Sequence, residues 1–174
     1  MKLNLFSIPI YISNIDEEKI QLNKSVVKKT WFSETMSSIG EGSELNEESQ
    51  KYLLKKIGNI LLKDIKKKFE IKLTWIWENH YKDGDFQEQH AHPGSHMSFI
   101  IYKKIDQSKT VFFNPTIDLI ESYYQKDYQP VEKSFKPECR QGQIIIFPSF
   151  LKHMVQKLKD SITIAGNIDI NFKD

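Results

Sequence analysis

Residues 87–104 read QEQHAHPGSHMSFIIYKK, and residues 141–153 read QGQIIIFPSFLKH. These two stretches decide the fold class. Each joins a short β-branched or aromatic run to a Pro or Gly that interrupts it, which is the texture of strands and turns. The same texture extends from residue 71 to the C-terminus. Strands are predicted at 71–80, 90–103, 110–114, 143–148, 153–156 and 162–172. Several short strands with turn signals between them predict a sandwich or barrel. Upstream the pattern differs. A strand is predicted over 5–13, a short helix over 17–30 and a Ser/Gly/Glu-rich surface loop over 33–49. The clearest helix follows, with Asn46 as N-cap and Glu47 and Glu48 in a first turn whose dipole favours acids. Leu54, Ile57, Leu61 and Ile65 recur at helical spacing, and Leu53 and Ile60 widen the stripe. The predicted class is α+β in a single domain. Residues 1–70 supply a strand and flanking helices, and residues 71–174 form an all-β core.

Composition excludes several classes. A chain of 174 residues that is 39% apolar and 12% aromatic can bury a core of its own. Its 25 basic and 23 acidic residues leave a net charge of +2. Arg140 is the only arginine, so the planar forks of a phosphate-reading surface are missing. No nucleic-acid partner is expected. No stretch approaches the ~20 apolar residues of a membrane span, and the N-terminus lacks the long apolar region of a signal peptide. A single cysteine, Cys139, rules out an internal disulfide. A soluble cytoplasmic protein is expected. The lysine- and isoleucine-rich composition points to an AT-rich genome, such as that of a marine bacterium or a phage.

The five histidines, at 80, 90, 92, 96 and 153, carry the chemistry. His90 and His92 stand at i and i+2, which places two imidazoles on one face of a strand. Such a pair can grip one metal ion, although an isolated H-x-H also occurs in surface loops. His153 lies five residues beyond Pro148, at the start of another predicted strand. A third ligand from a separate strand completes a facial set and leaves positions for a co-substrate and oxygen. His96 shares that face only if the strand runs on through Pro93 and Gly94, and His80 has the weaker claim.

The ordered set of motifs resembles the 2-oxoglutarate- and iron(II)-dependent oxygenases, specifically a prolyl-hydroxylase-like group found in bacteria and phages. LFSIPIY at 5–11 resembles the family's opening strand, and Trp77-Glu78-Asn79 resembles its W-x-N strand. His90-Ala91-His92-Pro93-Gly94-Ser95 resembles the H-x-H-P-x-S metal segment, followed by a strand ending in Tyr102. Phe113-Asn114-Pro115 resembles a strand ending in F-x-P. Residues 142–153 resemble G-x-x-x-x-F-P-S-x-x-x-H, and 162–167 resemble the last strand. The resemblance implies a double-stranded β-helix of jelly-roll or cupin-like form. It implies Fe(II) and 2-oxoglutarate, with oxygen converting the co-substrate to succinate while a C–H bond of the substrate is hydroxylated. It makes His90 and His153 metal ligands and puts His92 where most of these enzymes carry an aspartate.

Two departures follow. A neutral histidine at 92 leaves the metal more positive, so zinc rivals iron. The family's arginine for the far carboxylate of 2-oxoglutarate, about eight residues after the distal histidine, is replaced by Ser161. A hydroxyl cannot replace a charge-assisted pair of about 1.5–3 kcal/mol. Tyr102, Thr163, Asn167 and Asn79 are the other candidates for the co-substrate site, and Lys157 or Lys159 could supply charge. The co-substrate site is therefore expected to be rearranged, weakened or absent.

Two alternatives accompany this reading. One is a three-histidine cupin-type metalloenzyme without 2-oxoglutarate, in which Gly84, His90 and His92 fit G-x5-H-x-H and His96 replaces the cupin glutamate. The other is a non-catalytic binding module on a decayed scaffold. The substrate is expected to be a peptidyl side chain or a small molecule, and the oligomeric state is not legible. Trp75 and Trp77 are expected in the barrel core or on a channel wall. Residues 121–136, with Tyr123, Tyr124 and Tyr128, are a candidate lid or a loose connection.

Overall fold

The apolar run at 143–148 forms a strand buried on both faces, and the rest of the fold is laid around it. A computed structural model describes residues 7–31, 33–123 and 132–173. The elements begin with β1 (Tyr11–Asn14), a 3-10 turn (Glu17–Lys19), β2 (Leu22–Lys24), β3 (Lys28–Lys29), β4 (Met36–Ser37), β5 (Glu44–Leu45) and helix α1 (Glu47–Leu61). They continue with β6 (Phe69–Tyr81), β7 (Gln87–His90), β8 (Met97–Lys104), β9 (Thr110–Phe113) and α2 (Ile117–Tyr123). The chain closes with β10 (Ser134–Phe135), β11 (Gln143–Pro148), β12 (His153–Val155) and β13 (Ser161–Phe172).

A seven-stranded sheet has the order β1-β11-β8-β13-β6-β4-β3, and a four-stranded sheet the order β10-β9-β12-β7. Every pairing in both sheets is antiparallel. From β6 onward the chain passes repeatedly between the two sheets, which is the strand traffic of a jelly roll. The molecule is mostly β-sheet with few helices. Among the described residues no helix is long and apolar enough to cross a membrane.

The alternation within β11 explains the continuous apolar run. Ile144 and Ile146 face a core shared with Leu53, Ile57 and Leu61 of α1. Ile145 and Phe147 face the barrel interior with Trp77, Ile100 and Tyr102. A sheet covered on both faces needs no polar alternation. The Asn46 side chain caps α1 by accepting from Ser49 N at 2.8 Å, as its sequence predicts.

The segment predicted as a helix over 17–30 is a 3-10 turn followed by the short strands β2 and β3. Its apolar residues do not supply a core-facing stripe. Ile20 is fully buried, whereas Val26 is 46% exposed. The strand predicted over 90–103 is split. β7 ends at His90, a turn with Gly94 at φ 91° intervenes, and β8 starts at Met97. Residues 5 and 6 of the predicted first strand, and Tyr124 and Tyr128 of the candidate lid, lie outside the described residues.

Gly166 sits where β13 passes between β6 and β8. A Cβ there would press into the Phe99 ring and come within 2.6 Å of the Trp75 carbonyl oxygen. Overpacking of this kind costs about 1–3 kcal/mol. Gly166→Ala is therefore expected to lower the unfolding midpoint in urea without changing the slope of the transition. An unchanged midpoint would mean that the strands separate at no cost.

Candidate metal centre

His153 opens β12 between two neighbours, opposite His90 of β7 on one side and Phe112 of β9 on the other. Residues paired across adjacent strands point to the same face, so this row faces the barrel interior. His90 and His153 therefore meet through strand register. The i, i+2 rule does not place His92, which lies past the end of β7. It is held by its backbone N–H, which donates to Ser149 O at 2.9 Å. Ser149 belongs to the F-P-S segment at the end of β11, so the two histidine segments lock together there.

The nearest ligand atoms of the three histidines lie within 4.8 Å of one another. Ring centroids are 4.3 Å apart for His90 and His153, and 5.1 Å for each pair that includes His92. Two backbone carbonyls orient the rings. His90 Nδ1 is 2.6 Å from Glu88 O, and His153 Nδ1 is 3.0 Å from Leu151 O. A carbonyl can only accept, so each Nδ1 carries the proton and each Nε2 keeps a free lone pair. This is the usual outer-shell arrangement for a metal-binding imidazole. The walls are aromatic. Phe147 stands edge-on to His153 at 4.8 Å, Trp77 lies 5.3 Å from His92, and Trp31 lies 4.7 Å from His90.

Burial in this apolar setting keeps the imidazoles neutral. Desolvation pushes His153 down to about 3 and His92 down to about 4, each helped by the neighbouring His90. His90 is lowered by the same burial, opposed in part by its bond to the Glu88 carbonyl. Neutral imidazole is the form that binds metal. The same shifts set a stability profile. Below the ordinary histidine value near 6.5, the unfolded chain takes up protons that the folded, metal-free protein refuses. Stability is then lost as pH falls from about 6.5 toward 4, by up to about 1.4 kcal/mol per pH unit for each of His92 and His153. Urea unfolding of the metal-free protein at pH 7.5, 6.0 and 5.0 is expected to show this decline, and His153→Gln a shallower one. Equal slopes in the two proteins would contradict the assignment.

The remaining candidates divide. Tyr102, Asn79 and Thr163 border the same cavity as the histidines. The Asn79 amide donates to Thr163 Oγ1 at 3.4 Å, and Tyr102 Oη lies 3.1 Å from Thr110 Oγ1. Ser161 and Asn167 do not border that cavity. Ser161 lines a separate surface depression together with the exposed Lys157 and Lys159. The Asn167 carboxamide oxygen accepts from Ser98 at 2.8 Å. His96 is directed away from the centre, 3.2 Å from Asp169 and accepting from Ile170 N, and His80 pairs with Glu78 at 3.1 Å. Trp77 is buried on the cavity wall, while Trp75 is 58% exposed rather than in the core. Cys139 is buried, and desolvation raises its thiol to about 11, which suits packing rather than nucleophilic attack.

Sequence reasoning missed Trp31, Gln87, Lys109 and Thr110. Gln87 and Thr110 pair with Val155 from its two sides, forming a second inward row beneath the histidine row. A register shift in the β7–β12 pairing brings in Gln87 rather than Glu88. No sequence periodicity signals that shift.

Comparison with known proteins identifies a family. A family model described as "Putative 2OG-Fe(II) oxygenase" matches residues 75–167, more than half of the chain. No curated protein sequence matches. Similar solved structures include the viral collagen prolyl hydroxylase of Paramecium bursaria Chlorella virus-1 in complex with 2OG. It has 16% identity and a TM-score of 0.48, with 80% of each chain covered. Another is a prolyl-4-hydroxylase of Pseudomonas putida, with 14% identity, a TM-score of 0.46, and 88% of this chain and 79% of that one covered. A third is an oxidoreductase of the 2OG-Fe(II) oxygenase family from Burkholderia pseudomallei. Its identity is 12% and its TM-score 0.46, with 92% and 68% covered. The chain belongs to the family of oxygenases that use Fe(II) and 2-oxoglutarate.

Proposed function

We propose that this protein is a hydroxylase in which His90, His92 and His153 hold Fe(II) and 2-oxoglutarate is consumed as co-substrate. The observation that carries the reading is the convergence of three buried or half-buried imidazoles on one point, two with their Nδ1 atoms committed to carbonyls. The donor set fits the group. Three neutral nitrogens from a facial set suit a divalent first-row metal and leave coordination positions open. They also leave its charge uncompensated, which favours a dianionic co-substrate over a neutral one. The bound iron and 2-oxoglutarate would supply the oxidising power: 2-oxoglutarate would be decarboxylated to succinate and carbon dioxide, with one oxygen atom of O2 entering succinate and the other the substrate hydroxyl.

The protein's own side chains do the rest. Glu88 and Leu151 carbonyls fix the tautomers of His90 and His153. Trp77, Phe147 and Phe112 exclude water from the metal side of the cavity. Asn79, Tyr102 and Thr163 offer polar contacts deeper inside. The substrate class is a peptidyl side chain or a small molecule, and a single domain spanning residues 1–174 acts on it.

The test is succinate production. Aerobic incubation with Fe(II) and 2-oxoglutarate is expected to yield succinate and carbon dioxide in equal amounts, slowly without substrate, and none from His90→Ala. Iron binding without any succinate, across peptide and small-molecule panels, would shift the assignment to the cupin-type reading.

A further inference from the structure

The arginine that the family places on the last strand has no counterpart in this cavity, yet the cavity is not without a cation. Its row on the larger sheet, Asn79–Thr163–Tyr102, is uncharged. Across the interior lies the row Gln87–Val155–Thr110. Lys109, immediately before Thr110, borders the cavity. Among the described residues it is the only lysine or arginine there, and it makes no ion pair. Gln87 is 5% exposed, borders the same space, and its side-chain Nε2 has no hydrogen-bond acceptor. A buried amide donor left unpaired is costly, so such a group marks a place where a partner belongs.

The two donors share their surroundings with hydroxyls. The Ser108 hydroxyl donates to Tyr102 Oη at 3.0 Å, which leaves the phenol's own proton for Thr110, Cys139 or a ligand. Lys109, Gln87 and Tyr102 border one cavity, and the half-buried Lys109 also borders the adjoining surface depression, so it stands between the cavity and solvent. Only an acceptor with several lone pairs and a negative charge satisfies all three.

We propose that Lys109 and Gln87, assisted by Tyr102, form the pocket for the far carboxylate of 2-oxoglutarate and replace the missing arginine. This rests on the oxygenase reading above. The anchoring charge has moved from the last strand of the larger sheet to the start of β9 in the smaller one. The consequence is selectivity for a dicarboxylic 2-oxo acid over a monocarboxylic one of equal length.

The experiment compares two probes, 2-oxoglutarate and 2-oxopentanoate, which carries a methyl group in place of the far carboxylate. Each is titrated anaerobically into the Fe(II)-loaded protein and followed by the visible charge-transfer band of the chelate and by calorimetry. The wild type is expected to prefer 2-oxoglutarate by at least about 10-fold, the size of a charge-assisted hydrogen bond. Lys109→Met is expected to erase most of that preference by weakening 2-oxoglutarate alone, Lys109→Arg to keep it, and Gln87→Leu to reduce it. Circular dichroism confirms that each variant is folded. If Lys109→Met binds 2-oxoglutarate as tightly as the wild type, the anchor is wrong while the oxygenase reading stands. If neither acid gives a band with the wild type, both fail together.

Discussion

His153→Ala is expected to weaken Fe(II) binding by more than about 100-fold, beyond the 10–100-fold typical of losing an outer-shell partner. His153 is the most buried of the three ligands, 2% exposed, and its register with both His90 and Phe112 centres the site. Nothing nearby can take its place. Among the described residues no other His, Cys, Asp or Glu joins the group, and His80 and His96 are engaged with Glu78 and Asp169 elsewhere. Two neutral imidazoles remain in the variant, with no carboxylate to hold a divalent ion. The check is the rise in melting temperature on adding Fe(II) anaerobically, which follows from preferential binding to the folded state. It should be clear in the wild type and in His96→Ala, and absent in His153→Ala. A wild-type-sized rise in His153→Ala would remove the metal centre as described.

The second large effect belongs to Phe147. Its side chain is fully buried, lies 4.8 Å from both the His153 and Phe112 rings, and continues the apolar run that anchors the larger sheet. Truncating a core phenylalanine costs about 3–5 kcal/mol through lost burial and the cavity left behind. Phe147→Ala is therefore expected to lose a large share of the 5–15 kcal/mol typical of a domain. Because the missing ring also frees His153 to rotate, Fe(II) affinity should fall in whatever fraction remains folded. Phe147→Leu should recover most of the stability and less of the metal affinity. Equal recovery of both would show that the ring only fills space.

Much of the fold was legible because its signals are local. Ile144 to Phe147 announce a buried strand by length and composition, and Asn46 with Glu47 and Glu48 announces a helix start. The expected helix over 17–30 failed because tertiary pairing of β2 with β5 and β3 with β4 outweighed a weak local preference. The spacing of the three candidate metal-binding histidines singles them out, but a different rule places His92. His90 and His92 do not lie on one regular strand, because Pro93 and Gly94 turn the chain, and the Ser149 carbonyl positions His92 instead. Ser161 stands where the resemblance implies an arginine and Asn167 follows on the same strand, yet from 161–167 the cavity takes only Thr163 and Ala165. Gln87, Thr110 and Lys109 were invisible for the opposite reason. They come together only through the register of β7, β12 and β9, which sequence spacing does not encode.

The most direct measurement is an anaerobic titration of the metal-free protein with Fe(II) and then 2-oxoglutarate, watching for the weak visible charge-transfer band of the chelated complex. A saturable band that is lost in both His90→Ala and His153→Ala is the predicted result. Tight iron binding with no band at saturating 2-oxoglutarate would contradict the assignment of this centre to a 2-oxoglutarate-dependent oxygenase.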